Sequence, residues 1–259
     1  MNAALNLSLF QTDIIWQSPD ANLEMLNQWI ETIPANTDIV ILPEMFLTGF
    51  SMDVNKIAQE MNGVGVSWLK SVSTSKGITI AGSLTIKEDE KFYNRMIAAL
   101  PDGQLHWYNK RHLFRMGDEH QYFTPGDETI LVNTKGWNIM PLVCYDLRFP
   151  VWSRNVDLKY DILIYVANWP KARNEAFLAL MKARAIENLC YVVGVNRVGI
   201  DGKGISYNGD SVVIDPKGRF ITELMQTPGI INCTISIDEL QDFRRKFPVY
   251  LDSDLFELK

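Results

Sequence analysis

The chain has 259 residues, 47% of them hydrophobic and 22% charged, with a formal net charge of -6 and a pI near 5.2. An acidic chain without a basic stripe argues against nucleic acid as a partner, and no window approaches the roughly 18 apolar residues that span a bilayer. Cys144, Cys190 and Cys233 are an odd number of well-separated thiols, which suits a reducing compartment rather than a disulfide framework.

The segment MNAALNLSLFQTD lacks the basic n-region of a secretion signal, so the expectation is a soluble, cytoplasmic protein that acts on a small molecule. Leu5, Leu7 and Leu9 alternate with Asn6 and Ser8, which predicts a strand with one partly wet face. Ser18 or Asp20 can cap a helix over 21–33, where Leu23, Leu26, Trp29 and Ile30 recur at helical spacing. DIVILPE (38–44) has an unbroken β-rich apolar run, as in a strand covered on both faces. Residues 77–86 and 95–110 continue the strand pattern, with Pro101, Asp102 and Gly103 as the turn of a hairpin. WNIMPLVCYD (137–146) and YDILIYVANWP (160–170) predict two more buried strands, separated by a short helix after Pro150. Phe177, Leu180, Met181 and Ile186 predict a helix over 174–189. CYVVGVN (190–196), SVVIDPKGRFITEL (211–224, turning at DPKG) and GIINCTISI (229–237) complete the strands. Alternating strands and helices with interspersed hairpins read as one α/β domain over 1–259. DIVILPE and DILIYVAN echo each other weakly across the two halves.

Several buried strands run straight into a polar residue: Leu42-Pro43-Glu44, Leu142-Val143-Cys144 and Val166-Ala167-Asn168, while QLHWYNK ends on Lys110. The carboxyl ends of strands are where α/β proteins gather ligands, because loops vary there above a rigid support. Taken singly, each residue also has an ordinary reading. Cys144 can be a small hydrophobe, as Cys190 and Cys233 are expected to be, or a reactive thiol beside Asp146, Arg148 and a helix start at FPVW. Glu44 can be a salt-bridged carboxylate, Lys110 a solvated charge, and Asn168 a turn residue. Together, a thiol, a carboxylate and an ammonium make a complete amide-hydrolysing set. The backbone N–H of Tyr145 is a natural second donor to the oxyanion.

LPEMF (42–46), NKRHLF (109–114) and LVCYDLRFP (142–150) resemble the catalytic blocks of the nitrilase, or carbon-nitrogen hydrolase, superfamily. The resemblance extends through ANWP (167–170), 182–199 and YNGDSVVIDPKG (207–218), and the wording of CYDLRFPVW, ANWP and the tail RKFPVYLDSDLF is most similar to the bacterial omega-amidases. It implies a four-layer α-β-β-α sandwich, with Glu44 as general base, Lys110 stabilising the tetrahedral intermediate, Cys144 as nucleophile and Glu119 as a second, supporting glutamate. It also implies a homodimer, in which the tail over about 240–259 is expected to lie at the interface. One departure from the pattern is Val151, where many relatives carry Glu, which concerns a peripheral ion pair.

On this reading the substrate is the omega-amide of a 2-oxo dicarboxylic acid, hydrolysed through a thioester without metal or organic cofactor. Its carboxylate calls for an arginine. Arg173 is the leading candidate, with Arg115 as another, and with Arg148 more suited to ion pairs beside the nucleophile. Asn168, Trp169, Phe46 and Tyr145 are the candidate pocket walls. His106, His112 and His120 raise the alternatives of a Cys-His dyad or a metal at His112, Glu119 and His120. Neither has a matching spacing, and packing of His112 beside the site is preferred. The competing functions are another C–N hydrolase (nitrilase, carbamoylase or aliphatic amidase), a silent interaction module and a papain-like protease.

Overall fold

A computed structural model describes residues 4–254 and 256. Its first sheet is built on β1 (Ala4–Gln11), β2 (Ile39–Ile41) and β3 (Thr79–Glu88), which run parallel. The hairpin of β4 (Lys91–Ala99) and β5 (Leu105–Asn109) extends one edge of that sheet, turning at residues 101–103. The second sheet centres on three more parallel strands, β7 (Trp137–Val143), β8 (Ile162–Ala167) and β9 (Tyr191–Asn196). β6 (Val132–Thr134) pairs antiparallel with β7. β10 (Val198–Ile200) and β11 (Ser206–Asn208) form a separate hairpin, and β12 (Val212–Ile214) pairs antiparallel with β9. β13 (Gly229–Ser236) returns to the first sheet beside β1. The two echoing segments of the sequence are β2 and β8, each the middle strand of its parallel trio.

The two-residue period of a strand sorts side chains into layers. Leu5, Leu7, Leu9, Ile39, Ile41, Met96 and Ala98 join the core shared with the second sheet. Phe10, Val40, Leu42, Ile80 and Leu84 point the other way, onto α1 (Pro19–Ile30) and α3 (Val64–Lys76). Between these helices in the sequence comes the single turn of α2 (Val54–Ile57), whose Val54 packs with Met45 and Phe123. On the far side, α5 (Asn174–Asn188) lays Phe177, Met181 and Ala185 against the second sheet. It approaches β9 so closely that a Cβ on Gly194 would meet the Met181 and Phe177 side chains at 2.8 and 3.1 Å. The order is helix, sheet, sheet, helix: a four-layer α-β-β-α sandwich.

The structure departs from the sequence reading in several places. The face of β1 expected to be partly wet is half-buried at Asn6 but covered at Ser8, which finds Asn232 Oδ1 at 2.7 Å and Thr37 Oγ1 at 3.0 Å. Between Pro150 and β8 the only helical geometry is a single 3-10 turn over Val156–Leu158. The Asn155 side chain bonds both the N–H and the C=O of Tyr160 (3.1 and 2.9 Å), closing the stretch into that turn rather than a longer helix. Ile186, counted on the buried face of α5, is exposed. The strand expected over 211–224 stops at Ile214, beyond which Phe220 makes a lone bridge to it. Two helices longer than a single turn escape the sequence reading. In α3, Gly65 and a run of Ser and Thr hide the Val66–Leu69–Val72 stripe, and the helix ends at Gly77 in the left-handed conformation (φ 67°). α6 (Ile237–Lys246) starts at Ser236, whose hydroxyl accepts from the Glu239 N–H, a cap written in the sequence as Ser-x-x-Glu.

Candidate active site

Four chain segments converge where the two sheets face each other. Glu44 lies three residues beyond β2, Lys110 directly after β5, Cys144 directly after β7 and Asn168 directly after β8. Lys110 is buried with its ammonium among three acceptor contacts: Glu44 Oε1 at 2.9 Å and the two oxygens of Glu119 at 3.0 and 2.9 Å. Glu119 opens the one-turn helix α4 (Glu119–Tyr122), and its Oε2 also accepts the Phe114 N–H at 2.6 Å. Glu44 Oε2 accepts the Asn168 N–H at 2.8 Å, and the Asn168 Nδ2 donates to the Glu44 carbonyl at 2.6 Å.

Asn94, on β4, is a member of this cluster that the sequence reading passed over. Its Nδ2 donates to Glu44 Oε1 (2.7 Å) and Glu119 Oε1 (3.0 Å). Its position has a legible signal: Asn94 falls in phase with Met96 and Ala98, which face the inter-sheet core. A polar residue on a core-facing register must find partners.

Cys144 sits at a sharp corner, with φ 43° where non-glycine residues are rare. It opens a 3-10 turn over Cys144–Arg148. The buried Asp146 carboxylate holds that corner, accepting the N–H of Val143 (3.0 Å), the N–H of His112 (2.9 Å) and the Tyr108 hydroxyl (2.8 Å). Burial pushes the Cys144 thiol well above its ordinary pKa; the Glu44 charge adds to the rise and Lys110 opposes it. Burial also works against the Lys110 ammonium, but Glu119 and Glu44 outweigh it and hold lysine above its usual value. Glu119 is held up by burial, with Lys110 pulling down and Glu44 pushing up.

Cys144 opens into a cavity of about 170 Å³ walled by Phe50, Phe114, Tyr145, Trp169 and Tyr207. An engineered 150 Å³ cavity takes benzene, so this space suits a compact molecule rather than a polypeptide. Arg148, Arg173, Lys203 and Asp201 also line it. Asp201 is committed to its own loop, accepting from Lys203 N–H, Ile205 N–H and the Tyr207 hydroxyl. The Arg173 guanidinium lies over the Phe114 ring at 5.2 Å and that of Arg148 over Trp169 at 4.9 Å. The ion pairs expected of Arg148 do not form among the described residues, because stacking on Trp169 turns its head into the cavity.

Two further expectations fail on geometry. Phe46 does not wall the cavity; it packs in the outer core beside Trp68, because the backbone turns at Met45 (φ 45°). Phe50 and Phe114 take that place. Arg115 is exposed and lies outside the cavity lining. His112 stacks on Phe149 at 3.8 Å and directs Nδ1 to Asp146 Oδ1 at 2.8 Å, an arrangement that serves neither a dyad nor a metal. Among the described residues no group of three His, Cys, Asp or Glu is arranged to hold a metal ion. Lys203 and Tyr207, which the sequence reading did not select, come from the β10–β11 hairpin.

The profile of the carbon-nitrogen hydrolase family matches residues 6–245. The chain belongs to the carbon-nitrogen hydrolase family. It is 43% identical over 255 residues to the omega-amidase YafV of Escherichia coli K12, covering 98% of both chains. It is 34% identical over 250 residues to the 2-oxoglutaramate amidase of Bacillus subtilis, covering 95% of this chain and 96% of that one. Among solved structures, XC1258 of Xanthomonas campestris, a carbon-nitrogen hydrolase superfamily protein with an arsenic adduct in its active site, superposes with a TM-score of 0.96. That likeness carries 42% identity and covers 99% of both chains. Saccharomyces cerevisiae Nit3, at 23% identity and a TM-score of 0.84 over 95% of both chains, shares the fold.

Proposed function

We propose that this carbon-nitrogen hydrolase is an omega-amidase that releases ammonia from the omega-amide of a 2-oxo dicarboxylic acid through a Cys144 thioester. The observation that carries the reading is the small, cation-lined cavity opening on Cys144, whose thiol feels the charges of the buried Glu44–Lys110 pair. The names of the Escherichia coli and Bacillus subtilis relatives support the substrate class.

In this mechanism the thiol keeps its proton at neutral pH, since burial raises its pKa. Glu44 takes that proton as sulfur attacks the amide carbon, and the carbonyl electron pair moves onto oxygen. Lys110, locked as an ammonium by its two carboxylates, and the Tyr145 N–H stabilise the oxyanion, at roughly 3–4 kcal/mol for one such donor. Collapse breaks the C–N bond, and Glu44 returns its proton to the departing nitrogen. Water then attacks the thioester, Glu44 takes the water proton, and the thiolate leaves and is reprotonated. Glu119 supports by anchoring Lys110 on its other side.

Arg173, which lines the cavity together with Arg148 and Lys203, receives the substrate carboxylate. Asn168 Oδ1 is buried without a hydrogen-bond partner among the described residues. Its amide orientation is set by the Nδ2 bond to Glu44, which leaves the oxygen to accept from the substrate –NH2. The Trp169 ring, buried at the cavity wall, shapes the space for the acyl chain. Every group in the cycle belongs to the polypeptide, so the reaction calls for no metal or organic cofactor.

We also propose a single 1–259 domain that pairs as a homodimer, with the tail over about 240–259 at the interface. Exposed Phe247, Val249, Leu251 and Phe256 support this placement; residues 255 and 257–259 of that tail lie outside the described residues. Three free thiols suit a cytoplasmic home, and no helix among the described residues is long and apolar enough to cross a membrane.

Ammonia release from 2-oxoglutaramate, 2-oxosuccinamate, glutamine, asparagine, a nitrile and an ureido acid tests the function. The two 2-oxo amides should lead the panel by kcat/KM, with a mass increase on Cys144 trapped from a slow substrate. Preference for the nitrile or the ureido acid overturns the omega-amidase reading in favour of another C–N hydrolase. No turnover of any member points to a silent module.

A further inference from the structure

The hydrogen bonds around Glu44 distinguish its two oxygens. Oε1 accepts from Lys110 Nζ at 2.9 Å and from Asn94 Nδ2 at 2.7 Å. Oε2 accepts only the Asn168 N–H among the described residues, at 2.8 Å. A carboxylate oxygen takes about two hydrogen bonds in the plane of the group, so Oε1 is full and Oε2 has one position open. A proton arriving at Oε1 would have to displace a donor. A proton arriving at Oε2 displaces nothing.

What holds this asymmetry is Asn94. The Asn94 amide is oriented by Ser83, whose hydroxyl donates to Asn94 Oδ1 at 2.8 Å and accepts the Met45 N–H at 2.9 Å. The circuit therefore closes on the residue next to Glu44. Both protons of Asn94 Nδ2 are spent on carboxylates, one on Glu44 Oε1 and one on Glu119 Oε1. Neither glutamate can then hold a proton on its Oε1 without facing an N–H, which keeps the two acids from sharing a proton. The backbone reinforces the placement, since the Lys110 N–H donates to the Asn94 carbonyl at 3.0 Å.

We propose that Asn94 is a positioning residue that reserves Glu44 Oε2 as the single proton-accepting oxygen of the base. The proposal rests on the reading of Glu44 as general base. In the acylation step the proton then passes from Cys144 Sγ to Glu44 Oε2, the Sγ electron pair forms the C–S bond, and the carbonyl pair moves to oxygen. The titratable and charged groups facing Glu44 are Lys110 at the end of β5, Glu119 on α4 and Cys144 after β7. From β8 it meets the neutral Asn168.

The test compares kcat and kcat/KM against pH for wild type, Asn94→Ala, Ser83→Ala and Glu44→Gln on 2-oxoglutaramate. Removing a donor to the charged form raises a carboxylate's pKa. The acidic limb of kcat should therefore move up by about one pH unit in Asn94→Ala, with kcat at neutral pH down tenfold or more and KM within about threefold of wild type. Ser83→Ala touches neither carboxylate directly; it releases the Asn94 orientation together with the Met45 N–H, so a smaller shift of the same limb is expected. It also serves if Asn94→Ala does not fold. An acidic limb unmoved in both variants, or a loss confined to KM, overturns the positioning role. Glu44→Gln separates the two readings: if it retains near-wild-type kcat, the base assignment itself falls, whereas an inactive Glu44→Gln with unmoved limbs in the other variants overturns only the inference about Asn94.

Discussion

Replacing Arg173 by Met should separate the reading of the substrate carboxylate from the chemistry at Cys144. The guanidinium lines the cavity and is held over Phe114 at 5.2 Å. The backbone carbonyl of residue 173 independently accepts the Trp169 indole N–H at 2.8 Å. Methionine therefore keeps the stem and the loop anchor and removes only the charged fork. A charge-assisted hydrogen bond is worth roughly 1.5–3 kcal/mol, and 1.4 kcal/mol is about tenfold. KM for 2-oxoglutaramate should thus rise about 10- to 150-fold, with kcat little changed, while a neutral amide of similar length such as valeramide loses less than about threefold. Lys203 is exposed, so solvent screens it and Lys203→Met should cost the same substrate no more than about fivefold. Initial rates of ammonia release over a range of each amide give both ratios. Equal losses on the charged and neutral amides would refute the carboxylate role of Arg173, and a Lys203 effect larger than that of Arg173 would reassign it.

Three more outcomes follow from the same structure. Lys110→Met removes the cation between two fully buried carboxylates and should lower unfolding stability by about 3–5 kcal/mol as well as abolish turnover; a urea midpoint shift equivalent to under about 1 kcal/mol contradicts the buried network. Cys144→Ala tests the raised thiol. A folded-state pKa above the unfolded value of about 8.5 means the neutral thiol's contribution is intact below that pH and fades above it, so wild type should lose stability relative to Cys144→Ala by up to about 1.4 kcal/mol per pH unit. Urea curves at pH 7 through 10 read this, and a difference flat across the range refutes it. Gly126 donates its N–H to the Lys110 carbonyl at 2.9 Å, and a Cβ there would run into the Asn109 carbonyl. Gly126→Ala should therefore cost about 1–3 kcal/mol and slow turnover by displacing Lys110; thermal melts and kcat that match wild type would count against that tight approach.

Much of this protein is legible along the chain because it is written in local periods. Runs such as DIVIL and DILIYVA announce buried strands, and their ends carry Glu44 and Asn168 into the space between the sheets. The LVCYDLRFP block marks the thiol just as directly. What the chain does not disclose is direction. Phe46 stands two residues from Glu44, yet the positive φ of Met45 sends it into the outer core. Arg148 reads as an ion-pairing neighbour of Cys144 until Trp169, twenty-one residues later, lies beneath its guanidinium.

The sequence by itself determined the α/β class and most of the buried strands, which depend on hydrophobic spacing, and the family and its sandwich, which rest on the resemblance of contiguous blocks; the short β6, β10 and β11 carry too few residues to show a period. Only the tertiary structure decided that Asn94 ties Glu44 to Glu119, that Phe114 and the β10–β11 hairpin close the cavity, and that Arg148 faces it. Those contacts join residues from different elements, brought together by sheet pairing and layer packing, and no window of sequence contains both partners.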